Sequence, residues 1–158
     1  MKNICTSQSQ SSILTLLTTH GRNEALESYQ ININSTDVQT VGKLNIASIK
    51  RLTGIDFPVA EVQIYPGAIR HIKRKHPGII EQYGHLIPDM IEHPDYVGKN
   101  PTEPGSVELI KVVTDSLLLA IKLDPKGYLY VSSLYDLNNA AVKLQKRLKS
   151  KRWVPFQP

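Results

Sequence analysis

Apolar and polar residues alternate most regularly in the second half of the chain, where they predict an antiparallel sheet. Residues 107–113, 116–123 and 128–135 are rich in Val, Leu, Ile and Tyr, as strands are. An Asp-Pro-Lys-Gly sequence at 124–127 places proline and glycine where a tight turn prefers them. Successive strands joined in this way form a meander. Residues 59–64 alternate weakly and predict a short strand before it.

Two short helices are predicted before this meander. Asn45 suits the N-cap of a helix through Leu52, which Gly54 would end. Pro66 suits the first turn of a second helix, and Pro77 prevents that helix from continuing.

The remaining pattern predicts a third helix, a loop and a final helix. Residues 78–92 form the third helix, broken or kinked at Pro88, and residues 93–105, dense in proline and glycine, form the loop. The final helix has Asp136 as its predicted N-cap and extends to about Lys151. Apolar residues at helical spacing predict its buried face: Leu137, Ala141, Leu144 and Leu148.

This order of elements predicts an α+β domain, with helices packed on one sheet face and room for a site on the other. The sequence changes character near residues 54–58, so we expect the domain to span residues 59–158. Residues 1–12, rich in Ser and Gln, predict a flexible tail. Residues 13–58 predict an N-terminal segment of short helices whose role the sequence does not indicate.

The amino-acid composition adds mainly an indication of the kind of partner that the protein binds. The formal net charge of +5 favours an anionic partner such as nucleic acid. Cys5 is the single cysteine, which excludes an internal disulfide and a thiolate metal site. No apolar run predicts a signal peptide or a membrane span, so we expect action in the cytoplasm and no membrane partner.

Residues 65–77 carry the strongest indication of chemistry, because they combine two histidines with cations that bind phosphate. His71 and His76 are five residues apart, so on one helix their rings point about 140° apart. That spacing does not favour a metal site, and we expect no cofactor. The alternatives are a capping role for His76 and a solvated surface position for His71. The candidate phosphate ligands of this helix are Arg70, Arg74 and Lys75.

Further candidates lie on the predicted strands and the final helix. Lys111 interrupts an apolar strand and is either an edge residue or a phosphate ligand. Ser133 and Tyr135 share a predicted strand face with Leu129 and Val131. The final helix presents cations that are either a solvated face or phosphate contacts, namely Lys143, Lys146, Arg147, Lys149, Lys151 and Arg152. The aromatic residues that either stack on bases or pack in the core are Tyr128, Tyr130, Tyr135 and Trp153.

The order of these features resembles the phage-associated Barnase–EndoU–colicin–RelE-like nucleases. The resemblance covers about residues 59–153. It rests on the histidines of the second helix, on Ile-Pro-x-x-Ile followed by Pro-Asp-Tyr-Val, and on a late strand ending Val-Ser-Ser-Leu-Tyr. It implies helices followed by a four-stranded antiparallel sheet. It also implies metal-independent RNA cleavage, in which a 2′-hydroxyl attacks the neighbouring phosphorus.

Transferred by position, the resemblance implies proton transfer by His71 and His76, with Ser133 and Tyr135 as the polar residues of the late strand. Lys111 or Arg147 would hold the phosphate. A strand glutamate to serve as base is missing, because the only candidate, at position 108, falls on the face opposite the lysine.

The resulting prediction is a toxin or phage effector ribonuclease that acts on RNA, tRNA included, with an immunity or antitoxin protein as partner. The alternatives are a non-catalytic nucleic-acid-binding module and a phage or mobile-element accessory protein that acts through protein contacts. A basic surface with converging histidines favours the enzyme, whereas cations without such histidines favour the binding module.

Overall fold

A seven-stranded sheet is the framework of the computed structural model, which describes residues 28–158. Its strands are β1 (Gln39–Lys43), β2 (Glu61–Ile64), β3 (Tyr96–Lys99), β4 (Ser106–Val112), β5 (Ser116–Leu123), β6 (Leu129–Asp136) and β7 (Trp153–Pro155). They lie in the order β1-β2-β6-β5-β4-β3-β7, and neighbours are antiparallel except β2 and β6, which are parallel. The α+β class is confirmed, whereas the expectation of a four-stranded antiparallel sheet is wrong.

Local signals explain where the helices begin and end. The helices are α1 (Ile46–Thr53), α2 (Pro66–Lys75), α3 (Ile79–Tyr83), α4 (Ile87–Glu92) and α5 (Ala140–Lys149). Asn45 caps α1 by accepting the Ser48 N–H, and Gly54 ends the helix in the left-handed conformation at φ 81°, as predicted. The predicted third helix is broken by a 3₁₀ turn at Gly84–Leu86, and Pro88 lies in the first turn of α4.

Three short strands enlarge the sheet beyond the predicted meander. β3 lies inside the segment predicted as a loop, and it pairs with β4 on one side and β7 on the other. At Gly98 the two strands approach so closely that a Cβ atom would overlap the carbonyl oxygen of Arg152. β1 precedes residue 58, and it pairs with β2 after that point. The predictions for residues 1–27, including the tail and Cys5, lie outside the described residues.

The sheet has a large hydrophobic core on one face and a smaller one on the other. Helices α1 to α4 contribute Ile49, Ile69, Ile80 and Met90 to the large core, where they meet apolar residues of the strands. The smaller core consists of Ile110, Leu118, Leu137 and Trp153 and lies beneath α5. No helix within residues 28–158 is both long enough and apolar enough to cross a membrane.

The final helix starts later than the sequence predicts. Its N-cap is Asn139, at φ 55°, rather than Asp136. This later start puts Leu137 before the helix and leaves Ala141 exposed, so Ala140, Leu144 and Leu148 form the packed face. That face is only half-buried. α5 therefore lies on the sheet as a loosely packed surface helix whose cations remain near solvent.

Candidate active site

The candidate site lies where α2 passes along the edge of β6. β2 pairs with β6 only at Leu129 and Tyr130, and the chain then turns at Tyr65 into α2. α2 is held against the large core by Ile69 and Ile72. Because β2 ends so early, the later residues of β6 have α2 rather than a strand on this edge, while β5 continues along the other edge.

A β-bulge decides which side chains of β6 face the site. The register with β5 shifts between the pairs Ala120–Ser133 and Ile121–Val131, so Ser132 is an extra residue. Leu129, Val131 and Leu134 belong to the large core, whereas Tyr135 packs with the smaller core on the opposite face. The prediction that Ser133 and Tyr135 share a face with Leu129 and Val131 is therefore wrong, because the bulge reverses the alternation.

His76 occupies the C-cap of α2 and stacks on Tyr135. The ring centroids are 5.1 Å apart and the ring planes differ by 22°. Burial lowers the pKa of His76 from 6.5. The carboxylate of Asp136 opposes this decrease, whereas the charges of His71 and Lys75 add to it. A histidine that served mainly as a cationic helix cap would have a raised pKa instead. His76 is therefore a neutral, proton-accepting ring near pH 7.

His71 lines a cleft of about 410 Å³ between α2 and the β5–β6 hairpin. Its Nδ1 atom lies 3.4 Å from the guanidinium of Arg74. The cleft is lined by Tyr65, Ala68, His71, Asp124, Tyr128, Tyr130, Val131 and Ser132. Both predicted histidines thus adjoin β6, one beside residues 131 and 132 and the other beside Tyr135. The helical angle of about 140° does not apply to His76, because its backbone has left the helix.

The hydroxyl-bearing candidates differ in their surroundings. Burial raises the pKa of Tyr135, as does the charge of Glu108, while Arg147 and Arg152 oppose the increase. Tyr135 therefore stacks on His76 and also lies near the charges of Arg147, within α5, and Arg152, just after it. Ser133 is half-buried opposite Ala120, while the neighbouring Ser132 donates its hydroxyl to the Ala120 carbonyl.

The structure separates the candidate phosphate ligands into three groups. Arg70, Arg74 and Lys75 are exposed on α2 near the histidines. Lys111 instead pairs with Asp89 at 3.0 Å and donates to the His93 carbonyl at 2.8 Å. It is therefore engaged at the end of α4, and no contact joins it to His71 or His76.

The third group forms a cationic cleft of about 360 Å³ at α5. It is lined by Lys143, Lys146, Arg147, Ser150 and Arg152. The Arg147 guanidinium lies 4.6 Å from the centroid of the Trp153 ring. Trp153 is fully buried, so its predicted alternative as a base-stacking surface is wrong.

Glu108 makes buried hydrogen bonds that the sequence does not indicate. It accepts hydrogen bonds from the Trp153 indole at 2.8 Å and from Arg152 at 2.9 Å. As predicted, it lies on the face opposite Lys111. Tyr65 and Asp124 were also missed as cleft residues, since a helix-starting tyrosine and a turn aspartate look structural in sequence. Among residues 28–158, no three His, Cys, Asp or Glu side chains cluster as potential metal ligands.

Comparison with known families adds an independent finding. A family model described as phage-Barnase-EndoU-ColicinE5/D-RelE like nuclease3 matches residues 39–143, which is more than half of the chain. The matched region runs from β1 into α5 and includes both histidines and the whole cleft. No curated protein and no solved structure matches the chain.

Proposed function

The chain belongs to the phage Barnase–EndoU–colicin E5/D–RelE-like nuclease family, and on this premise we propose that it is a metal-independent endoribonuclease. Membership indicates a nuclease-type function on nucleic acid, whereas the choice of RNA and the mechanism are our proposal. The observation that supports it is the pair of histidines along β6, of which His76 has a lowered pKa. A role as a toxin or phage effector, restrained by an immunity or antitoxin protein, belongs to the same proposal.

In this mechanism His76 acts as the general base and His71 as the general acid. The neutral His76 ring takes the proton of the 2′-hydroxyl while the 2′-oxygen forms a bond to phosphorus. The bond from phosphorus to the 5′-oxygen breaks, and His71 in its cationic form supplies the proton that this oxygen needs. The products are a 2′,3′-cyclic phosphate and a 5′-hydroxyl. Stacking on Tyr135 fixes the plane of the His76 ring.

Phosphate contacts are assigned to the cations on both sides of this histidine pair. Arg70, Arg74 and Lys75 are exposed on α2 and would stabilise the charge that develops on the phosphorane. Beyond Tyr135, the cleft with Lys143, Lys146 and Arg147 would carry the next phosphates of the strand. Lys111 is not part of this assignment, because it is engaged by Asp89.

We expect the protein to cleave RNA in the presence of EDTA. Two imidazoles beside cationic side chains supply the acid, the base and the charge stabilisation that this reaction needs. The measurement is incubation with total RNA and with purified tRNA, with and without chelator, followed by analysis of the product ends. Loss of cleavage on chelation and its rescue by a divalent ion would contradict the mechanism.

A second candidate function is a non-catalytic RNA-binding module. The one observation that favours it is the group of cations on α5. The double change of Lys143 and Lys146 to Gln tests that surface. Removing one phosphate contact should reduce the slope of log affinity against log salt by about 0.7 for a single strand, and removing both should reduce it by about 1.4. Arg147 is kept, because it packs on Trp153.

The matched control is the double change of Lys43 and Lys99 to Gln, two exposed lysines on strands β1 and β3. Its salt dependence should equal that of the unaltered protein. If both double variants change the slope equally, the α5 cations act only through net charge and the assigned RNA path is wrong. Binding at the α5 cations combined with intact histidines and no cleavage would favour the binding module.

A further inference from the structure

Three tyrosines form one wall of the cleft beside His71. The ring centroids of Tyr65 and Tyr128 are 5.5 Å apart, and those of Tyr128 and Tyr130 are 6.1 Å apart. They come from the start of α2, from the turn after β5 and from β6, so three separate elements converge here. All three remain half-exposed rather than buried in the core. Such a wall offers aromatic faces to a flat, unsaturated ligand.

A carboxylate lies in the same cleft. Asp124 accepts the Lys126 backbone N–H at 2.8 Å, which holds the side chain in the turn. The neighbouring Tyr65 hydroxyl, burial and the Asp124 carboxylate together raise the pKa of Tyr128, so the phenol stays neutral. A carboxylate has about four acceptor sites, and therefore Asp124 retains acceptor capacity toward a ligand with N–H groups.

The size of the cleft also suits a nucleotide unit. Its volume of about 410 Å³ falls within the range of about 300–1,000 Å³ for small-molecule sites. Its lining combines aromatic faces with a few polar groups, which is the usual composition of such a site.

We propose that this cleft is a base-binding subsite in which a nucleobase stacks on Tyr128 and Tyr130 and Asp124 selects guanine. The guanine edge carries two adjacent N–H donors, which match the two oxygens of a carboxylate. Adenine and cytosine place an acceptor nitrogen beside their amino group, and uracil has one N–H between two carbonyls. Those three bases therefore bring an acceptor toward the negative charge.

The subsite rests on the proposed ribonuclease function and makes it more specific. His71 lines the same cleft as the tyrosines, so a base bound there brings its adjoining phosphate to the histidine. Base recognition would then determine which phosphodiester is cut. The enzyme would cleave next to guanosine rather than at every position of an RNA strand.

The test uses four DNA oligonucleotides that each contain one ribonucleotide, which is G, A, C or U. We expect the full-length protein to cleave the G substrate fastest under single-turnover conditions. Asp124→Asn should slow that substrate about 5- to 150-fold, because a bidentate base contact contributes about 1–3 kcal/mol of discrimination. Cleavage of the other three should not slow, because the amide removes the negative charge that opposes their acceptor atoms. The asparagine oxygen keeps the bond to the Lys126 N–H, and a melting curve checks that the variant folds.

A binding measurement separates the subsite from the nuclease activity. Tyrosine fluorescence is titrated with the 3′-monophosphates of guanosine, adenosine, cytidine and uridine, for the unaltered protein and for Asp124→Asn. Preference for the guanosine nucleotide that the variant loses supports the subsite, even if no oligonucleotide is cut and the nuclease proposal fails. Cleavage without base preference, or a preference unchanged in the variant, overturns the subsite and leaves the nuclease proposal intact.

Discussion

Replacement of His76 by alanine is expected to lower RNA cleavage by ~10²-fold or more, the usual contribution of a general acid or base. The ring has a lowered pKa and stacks on Tyr135, so its removal takes away a neutral proton acceptor in a fixed orientation. His71→Ala should cause a loss of similar size, since the leaving oxygen then lacks its acid. The measurement is the single-turnover rate on a short RNA, with melting curves for each variant.

A matched control is His85→Ala, which removes an exposed histidine from the 3₁₀ turn after α3. Its cleavage rate and melting temperature should stay close to those of the unaltered protein. A His76→Ala variant that melts at lower temperature yet cleaves normally would show that this residue is only a helix cap.

The pH dependence follows from the same histidine. Because burial lowers the pKa of His76, the ring stays neutral and able to accept a proton until the pH falls below 6.5. The acidic limb of kcat/KM, which reports the free enzyme, should therefore lie below the ordinary histidine value. Between that limb and neutral pH the rate should not fall as the pH decreases. An acidic limb above 6.5 would rule out His76 as the base.

The sequence predicts those parts of the fold whose signals are local. Asn45 and Gly54 bound α1 because a side-chain cap and a left-handed glycine act within one helical turn. Strands β4 to β6 are long enough to alternate visibly. By contrast, β3 and β7 have only four and three residues. Their pairing depends on Gly98, where a side chain would overlap the neighbouring strand. That approach depends on tertiary packing, which no local pattern reveals.

The sequence indicates candidate residue types for the site but not their geometry. The two histidines stood out by their charge and spacing. The stacking of His76 on Tyr135 depends on the extra residue at Ser132 and on the end of α2 at Lys75. A bulge moves every later side chain of the strand to the other face of the sheet, and the alternation of apolar and polar residues does not indicate it. Asp124 lines the cleft because its turn lies beside α2, a tertiary placement that the local sequence does not indicate.

The C-terminal strand depends on one buried carboxylate, and Glu108→Ala should reduce the free energy of unfolding by about 3–5 kcal/mol. Glu108 is 3% exposed and is the shared acceptor for the Trp153 indole and the Arg152 guanidinium. Alanine would leave a buried indole N–H without its acceptor and a guanidinium without its counter-charge. β7 pairs with β3 beside this cluster, so the loss should also loosen α5 through Arg147 on Trp153.

The matched control is Glu103→Ala, because Glu103 also pairs with a cation but does so at the surface. Its carboxylate lies 2.7 Å from Lys122, and its side chain is 44% exposed. Removal of an exposed pair of this kind changes stability by less than about 1 kcal/mol. Urea denaturation of both variants at neutral pH measures the difference. Equal losses would mean that Glu108 does not hold the C-terminal strand, and that apolar burial of Trp153 stabilises it alone.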